Sequence, residues 1–262
     1  MSNQEQIEYW DGAAGDKWAN HQLQMDSMLG PLGKAGIDRL APAEGAAVLD
    51  VGCGCGDTSL ALADRGANVT GVDVSGPMLA RARERAAERG AEISFQQADA
   101  SSHVFAAPFG HVFSRFGVMF FADPTAAFAH LRTQLEPSGS VTFVCWRAVQ
   151  ENPWIYEPTT AVFQHVPRPE EAPDPHAPGP FAFADKDRVA GIMRGAGFSN
   201  VDVEPLDVDL LVGATVEQAL VLVSEIGPAS RLLVDQPADL AERVKHDLHE
   251  LVEGRLGEEG VR

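Results

Sequence analysis

Gly52, Gly54 and Gly56 alternate within the run Val48-Leu49-Asp50-Val51-Gly52-Cys53-Gly54-Cys55-Gly56-Asp57. Asp73 ends a second apolar run 21 residues after Gly52, and Asp99 follows a third after 26 more. These residue types suit the holding of a small polar molecule. Glycines between a strand and a helix let the backbone come close to a ligand, because no Cβ stands in the way. A carboxylate at the tip of the next strand can accept both hydroxyls of a ribose. A carboxylate one strand further can accept from the amino group of an adenine. The spacings are each about one βα unit, so the three groups are expected at neighbouring strand tips. The ligand they imply is nucleotide-like and lies across the carboxyl ends of a parallel sheet.

The elements that must place these groups follow from the apolar pattern. Strands are expected at Ala47–Val51, Asn68–Val72, Glu92–Gln96, His111–Phe113 and Val141–Trp146, short runs rich in apolar residues. Between them lie helical segments: one running to about Arg65, one over Met78–Arg89 with Gly90 just past its end, and one over Thr125–Leu135 after Pro124. Repeated βαβ predicts an α/β fold with a doubly wound, mostly parallel sheet. Residues 1–46 form an N-terminal helical cap, in which Tyr9, Trp10 and Trp18 either pack on a sheet face or close over the ligand. Residues 47–147 are the α/β core. Residues 148–184 are a Pro-rich insertion, with six prolines within Val166–Pro180, read as a surface connector or as a lid over the strand ends. Residues 185–212 finish the core with a helix from Asp185 and a strand at Asn200–Val203. Residues 213–262 carry helices at Thr215–Ile226 and Pro237–Leu256.

Composition narrows the partners. The 262 residues carry a formal net charge of −18 with 22% charged residues and no basic run, which argues against a phosphate backbone as partner. Met1 to Trp18 lacks the apolar h-region of a secretion signal, and no stretch approaches the roughly 20 apolar residues of a membrane span. Three cysteines do not make a disulfide framework. A cytoplasmic protein acting on a small molecule is expected.

The turn departs from a dinucleotide fingerprint, G-x-G-x-x-G/A, because Asp57 stands at the sixth position and would face a pyrophosphate. At this point the sequence resembles the class I methyltransferases that use S-adenosylmethionine, and within them the ubiquinone/menaquinone C-methylase-like branch. The matching motifs are V-L-D-V-G-C-G-C-G at 48–56, G-V-D-V-S at 71–75 with Met78, Q-A-D-A at 97–100, F-S-R-F-G-V-M-F-F-A-D-P at 113–124 and L-E-P-S-G at 135–139. The resemblance implies a Rossmann-like sheet, S-adenosylmethionine as cofactor and S-adenosylhomocysteine as product. It implies Gly52, Gly54 and Gly56 beside the methionine part, Asp50 supporting that loop, Asp73 on the ribose, Met78 against the adenine, Asp99 at the adenine amine and Ser114 near the methionine amino group. Cys53, Val74 and Ala100 complete the expected cofactor contacts, and Tyr9 and Trp18 resemble aromatic residues that close over the cofactor. The family's sheet ends with an antiparallel seventh strand beside the fifth. Either Asp207–Val212 takes that role or the chain stops early; the second is expected, because Gly257–Arg262 is short and polar.

A methyl acceptor needs a pocket and, for carbon or phenol oxygen, a base. The acceptor pocket is expected from Arg115, Phe116, Met119 and Phe120 after the fourth strand, Trp146 and Arg147 after the fifth, and Trp154 and Tyr156 in the insertion. No base is unmistakable. His103, Arg115 and Arg147 are the catalytic candidates, with His111, His130, His165 and His176 as further histidines. Cys53, Cys55 and Cys145 are expected to hold no metal. The reading is an S-adenosylmethionine-dependent methyltransferase with the acceptor atom (O, C or N) open. The alternatives are a non-catalytic module that binds the cofactor or its demethylated product, and an NAD-dependent oxidoreductase.

Overall fold

The structure is a computed structural model that describes residues 3–169, 174–234 and 236–262. Four residues of the Pro-rich insertion, 170–173, lie outside the described residues. Three helices come first: α1 (Asn3–Asp11), α2 (Ala13–Asn20) and α3 (Gln22–Leu40). The α/β succession then runs β1 (Ala47–Val51), α4 (Asp57–Ala63), β2 (Asn68–Asp73), α5 (Gly76–Arg89), β3 (Ser94–Gln97), β4 (Phe109–Arg115), α6 (Pro124–Thr133) and β5 (Leu135–Val144). After it come α7 (Pro153–Val162), α8 (Lys186–Gly195), α9 (Val216–Glu225), α10 (Pro228–Leu232), α11 (Ala238–Glu253), and a small hairpin of β6 (Leu256–Gly257) and β7 (Gly260–Val261).

The main sheet has the order β3-β2-β1-β4-β5, and all of its pairings are parallel. Such a sheet is buried on both faces, which is why Val48, Leu49, Val72, Val112 and Phe113 are sealed from solvent. The order reverses between β1 and β4, so the crevice for a ligand opens at the carboxyl ends of these two strands. Local sequence sets the helix starts. Ser75 accepts from the Met78 amide at 3.4 Å with Pro77 in the first turn of α5, and Asp123 accepts from Ala126 at 3.0 Å ahead of α6. Asp185 and Thr215 cap α8 and α9 in the same way.

Three expectations are corrected. Asn200–Val203 is not a strand: residues 200–212 make no ladder with β5, and among the described residues the outer edge of β5 has no paired neighbour. A short strand without a partner gains little, so the segment stays irregular and largely exposed. It is tied down by Arg39 to Asp202 at 2.5 Å and by Arg147 to Asp207 at 2.6 Å. Secondly, the last helix stops at Glu253, and the residues after it do form a strand, though not one beside β5. Val261 pairs with the 212–213 backbone instead, through Val212 N to Val261 O and Val261 N to Gly213 O, both 2.8 Å. Thirdly, β4 and β5 are longer than expected, with an irregularity between the pairs Phe109–Leu135 and His111–Ser140 that absorbs Glu136–Gly139. No helix of the described residues is long and apolar enough to cross a membrane.

Candidate active site

The glycine turn is built from inside. Gly52, Gly54 and Gly56 all have positive φ (68°, 52° and 80°), the region that side chains with a Cβ rarely adopt. At Gly52 the reason is also contact: a Cβ there would stand 2.6 Å from the Gly117 Cα in the loop after β4. Four of the turn's amides are spent internally. Gly52 and Cys53 donate to the Val72 carbonyl at 2.8 and 3.2 Å, Gly56 donates to Cys53 at 2.9 Å, and Gly54 donates to Asp73 Oδ2 at 2.8 Å. The close backbone approach expected of the glycines therefore comes without a free N–H group at these four positions.

Asp50 lies beneath the turn, fully buried, and accepts from the hydroxyls of Thr58 (2.7 Å) and Ser59 (2.6 Å) on one oxygen; its other oxygen has no partner. Burial pushes its pKa from 3.8 up to about 6. Asp73 closes β2 with one oxygen on Gly54 and the other accepting from Ser75 N at 2.9 Å; burial raises its pKa as well. Asp99 follows β3, held by a bond from Ser101 N to its Oδ1 at 2.9 Å. Burial also drives the thiols upward, Cys55 to about 12 and Cys145 to about 11, so both are neutral at ordinary pH.

These tips open onto a cavity of about 380 Å³, within the usual range for a small-molecule site. Of the expected cofactor residues, Tyr9, Trp18, Gly52, Cys53, Gly54, Asp73, Val74, Met78, Asp99 and Ala100 line it. Asp50, Gly56 and Ser114 do not. Gly56 turns toward Ala82 and Phe95, and Ser114 is buried with its hydroxyl accepting from Gly117 N at 3.2 Å. Of the expected acceptor residues, Arg115, Phe116, Met119, Phe120, Trp146 and Trp154 line the cavity. Phe116 has φ +63°, rare for an aromatic residue, and its ring stacks on Trp146 at 4.1 Å and 5°. Trp154 packs on Trp146 at 5.5 Å.

The catalytic candidates fare differently. Arg147 is outside the cavity, engaged with Asp207 and with Glu151 at 3.4 Å. Arg115 reaches the cavity, but its charge is matched by Asp57 at 2.7 Å. His103 meets the Phe105 ring edge-on, and its carbonyl accepts from His130 at 2.7 Å. His111 bonds to Ser140 and His165 to Asp247, so none of these histidines lines the cavity. No group of three or more His, Cys, Asp or Glu among the described residues is arranged to hold a metal.

Several further residues line the cavity, and all but Trp10 carry no mark in the sequence pattern. Asn3, Trp10, Lys17, Gln22 and Asp26 come from the cap, while Ile226, Pro228 and Arg231 come from the end of α9 and from α10. Trp10 alone had a signal, as an aromatic residue beside Tyr9. The others depend on chain ends meeting over the sheet: Arg231 sits on the Tyr9 ring at 4.8 Å, and His21 meets Glu225 at 2.9 Å.

Residues 48–139, which hold β1 to the β4–β5 connection and both acidic strand tips, match the family described as "Methyltransferase domain". This chain carries a class I methyltransferase domain. The domain's cofactor is S-adenosylmethionine. The methyltransferase domain is similar to an uncharacterized protein of Mycobacterium tuberculosis, 34% identical over 132 residues that make up 49% of this chain and 48% of that one. It is also similar to the ubiquinone biosynthesis O-methyltransferase of Stutzerimonas stutzeri, 31% identical over 55% of this chain and 62% of that enzyme. Among solved structures it resembles the [4+2]-cyclase SpnF, with a TM-score of 0.50 and 25% identity over 66% of this chain and 57% of that one. The chain spans about half the length of the first curated relatives it matches.

The site suits this cofactor. A carboxylate tops β2, a second carboxylate follows β3, and the glycine turn offers a close backbone approach with the amides of Gly52, Cys53, Gly54 and Gly56 already bonded within the protein. The cavity they share continues into an aromatic half beside Phe116 and Trp146.

Proposed function

We propose that the protein transfers a methyl group from S-adenosylmethionine to a small, partly apolar molecule. One observation carries this reading: a single cavity joins the tips of β1, β2 and β3 to an aromatic chamber after β4 and β5. In the cofactor half, Gly52, Cys53 and Gly54 flank the methionine part and Asp73 takes the ribose hydroxyls. Val74 and Met78 pack on the adenine, Asp99 and Ala100 meet its amino edge, and Tyr9 and Trp18 close over it. Asp50 acts from below by fixing the turn. Bound there, the cofactor supplies a methyl group that is already electrophilic on its sulfonium.

The chain's own task is then to align an acceptor and exclude water. Phe116, Met119, Phe120, Trp146 and Trp154 form the acceptor wall, and their rings also suit a nearby sulfonium. The carboxylates that line the cavity away from the adenosine half are committed: Asp57 to Arg115, Asp26 to Arg85 at 2.6 Å, and Glu225 to His21. That favours an acceptor arriving with its nucleophilic lone pair already free. The same observation keeps a second reading open, a protein that holds the cofactor without transferring its methyl group, and SpnF, of similar fold, is named a cyclase. An NAD-dependent oxidoreductase is disfavoured by Asp57, whose charge would face a pyrophosphate, and by the commitment of the Gly52, Cys53, Gly54 and Gly56 amides within the protein. The acidic net charge supports a small molecule over nucleic acid, and the three free cysteines suit a cytoplasmic site.

Calorimetric titration with S-adenosylmethionine, S-adenosylhomocysteine and NAD tests the cofactor, and single-turnover transfer of a labelled methyl group to candidate acceptors tests the reaction. Binding of the first two without NAD is expected. NAD binding alone overturns the reading, and tight cofactor binding with no transfer to any acceptor moves it to the second.

A further inference from the structure

Asp99 is already occupied. The Asn3 side-chain amide donates to Asp99 Oδ2 at 2.6 Å, across 96 residues of chain, and both residues line the cavity. The other carboxylate oxygen is taken by Ser101 N. Asn3 is delivered there by α1, whose far end is also fastened: Asp11 Oδ1 accepts from Gly76 N at 2.7 Å and from Gln97 Nε2 at 3.0 Å. Between these two points the Tyr9 ring carries the Arg231 guanidinium. The helix thus lies along the tips of β2 and β3 with its first turn on the carboxylate that the cofactor reading assigns to adenine.

A carboxamide NH₂ and the exocyclic NH₂ of adenine are the same kind of group, planar and donating two hydrogens. We propose that Asn3 is a built-in competitor of the cofactor's adenine: its amide holds the Asp99 oxygen that the adenine amine takes, and the first turn of α1 releases it as the cofactor seats. This rests on the proposed placement of adenine at Asp99. The apparent affinity is then reduced by the share of molecules in which Asn3 holds Asp99, and the association rate by the time spent waiting for release. The bond to a charged acceptor is a strong one of its kind, so its removal has a measurable effect.

The test is S-adenosylhomocysteine binding to the full chain, followed by calorimetry and by stopped-flow tryptophan fluorescence. Asn3→Ala should tighten binding by about three- to tenfold, mainly through faster association. Asn3→Asp, which sets a like charge against Asp99, should do so at least as strongly. In an Asp99→Ala background, Asn3→Ala should change nothing. Unchanged binding, or weaker binding through faster dissociation, overturns the proposal and makes the bond a clasp that seals the bound cofactor. If Asp99→Ala leaves affinity unaltered in the Asn3→Ala background, where no competitor has to be released, the adenine placement fails instead. If the unaltered chain does not bind S-adenosylhomocysteine, the proposed function itself fails.

Discussion

The Asp57 carboxylate lies 2.7 Å from the Arg115 guanidinium, and this bond ties the helix start after the glycine turn to the end of β4. The residue that breaks the dinucleotide pattern is thus a strut between the two strands that flank the crevice. Arg85 stands 3.8 Å from the same carboxylate and 2.6 Å from Asp26, so four charges of alternating sign run beneath the cavity. Burial raises the pKa of Asp26, the member that Asp57 also repels.

Arg115 is only 13% exposed and Asp57 27%, so breaking the pair costs more than a surface ion pair would. Asp57→Ala and Arg115→Ala are each expected to lower stability by about 2 kcal/mol, and the double variant by clearly less than the sum. Urea unfolding of the four proteins in the cycle measures this coupling; strict additivity would show that the two charges do not depend on each other.

Gly52→Ala places a Cβ 2.6 Å from the Gly117 Cα at a residue with φ +68°. Backbone strain and the collision together should cost about 2 kcal/mol or more and weaken cofactor binding, since the turn must shift. Thermal unfolding with and without S-adenosylhomocysteine checks both. A variant that melts with the parent would contradict the close meeting of the two loops.

Asp73 is a staple as well as a proposed ligand residue. Asp73→Ala leaves the Gly54 and Ser75 amides without their partner. It should lower stability by about 1–3 kcal/mol and cofactor affinity by a similar amount, because ribose hydroxyls lose the same acceptor. Calorimetry at a temperature where the variant is folded separates the two effects. Full affinity in a folded variant would move the ribose elsewhere.

The pKa of Asp50 is raised from 3.8 to about 6 by burial, so the folded state holds this proton more tightly than the unfolded chain does. The contribution is present in full below about pH 4, fades as pH rises to about 6 and stays lost above it; its size is about 3 kcal/mol. Asp50→Asn keeps an oxygen for Thr58 and Ser59 and carries no charge. Its stability relative to the parent should therefore climb between about pH 4 and pH 6. Denaturant midpoints of both proteins across that range report it, and a constant difference would place the titration elsewhere.

The strand tips were legible because the apolar runs, the glycines and the two acids recur at one βα unit, a pattern fixed by local chain geometry. Asp73 and Asp99 could be placed on this basis alone. The partners of charged residues could not, since they depend on distant chain. Arg147 reads as a free cation at a strand end, yet its match is Asp207, 60 residues on. Asn3 gives no signal at all until α1 is laid along β3. The strand expected at Asn200–Val203 failed for a related reason: its residues alternate polar and apolar as a strand's do, but a strand is a relation between two segments, and β5 is not hydrogen-bonded to this one.

Over the cavity the N-terminal cap meets α9 and the segment that leads into it. Gln24 donates to the Val212 and Gln218 carbonyls, at separations of 188 and 194 residues, and His21 meets Glu225 over 204. Contacts of such separation form late, after the loops between them have closed. On a ribosome, the cap would emerge before the sheet and wait without its counterpart until α9 and α10 had been made. The parallel sheet can assemble from its own neighbouring units in the meantime, so the binding hollow is roofed later than its floor, only once α9 and α10 have been made.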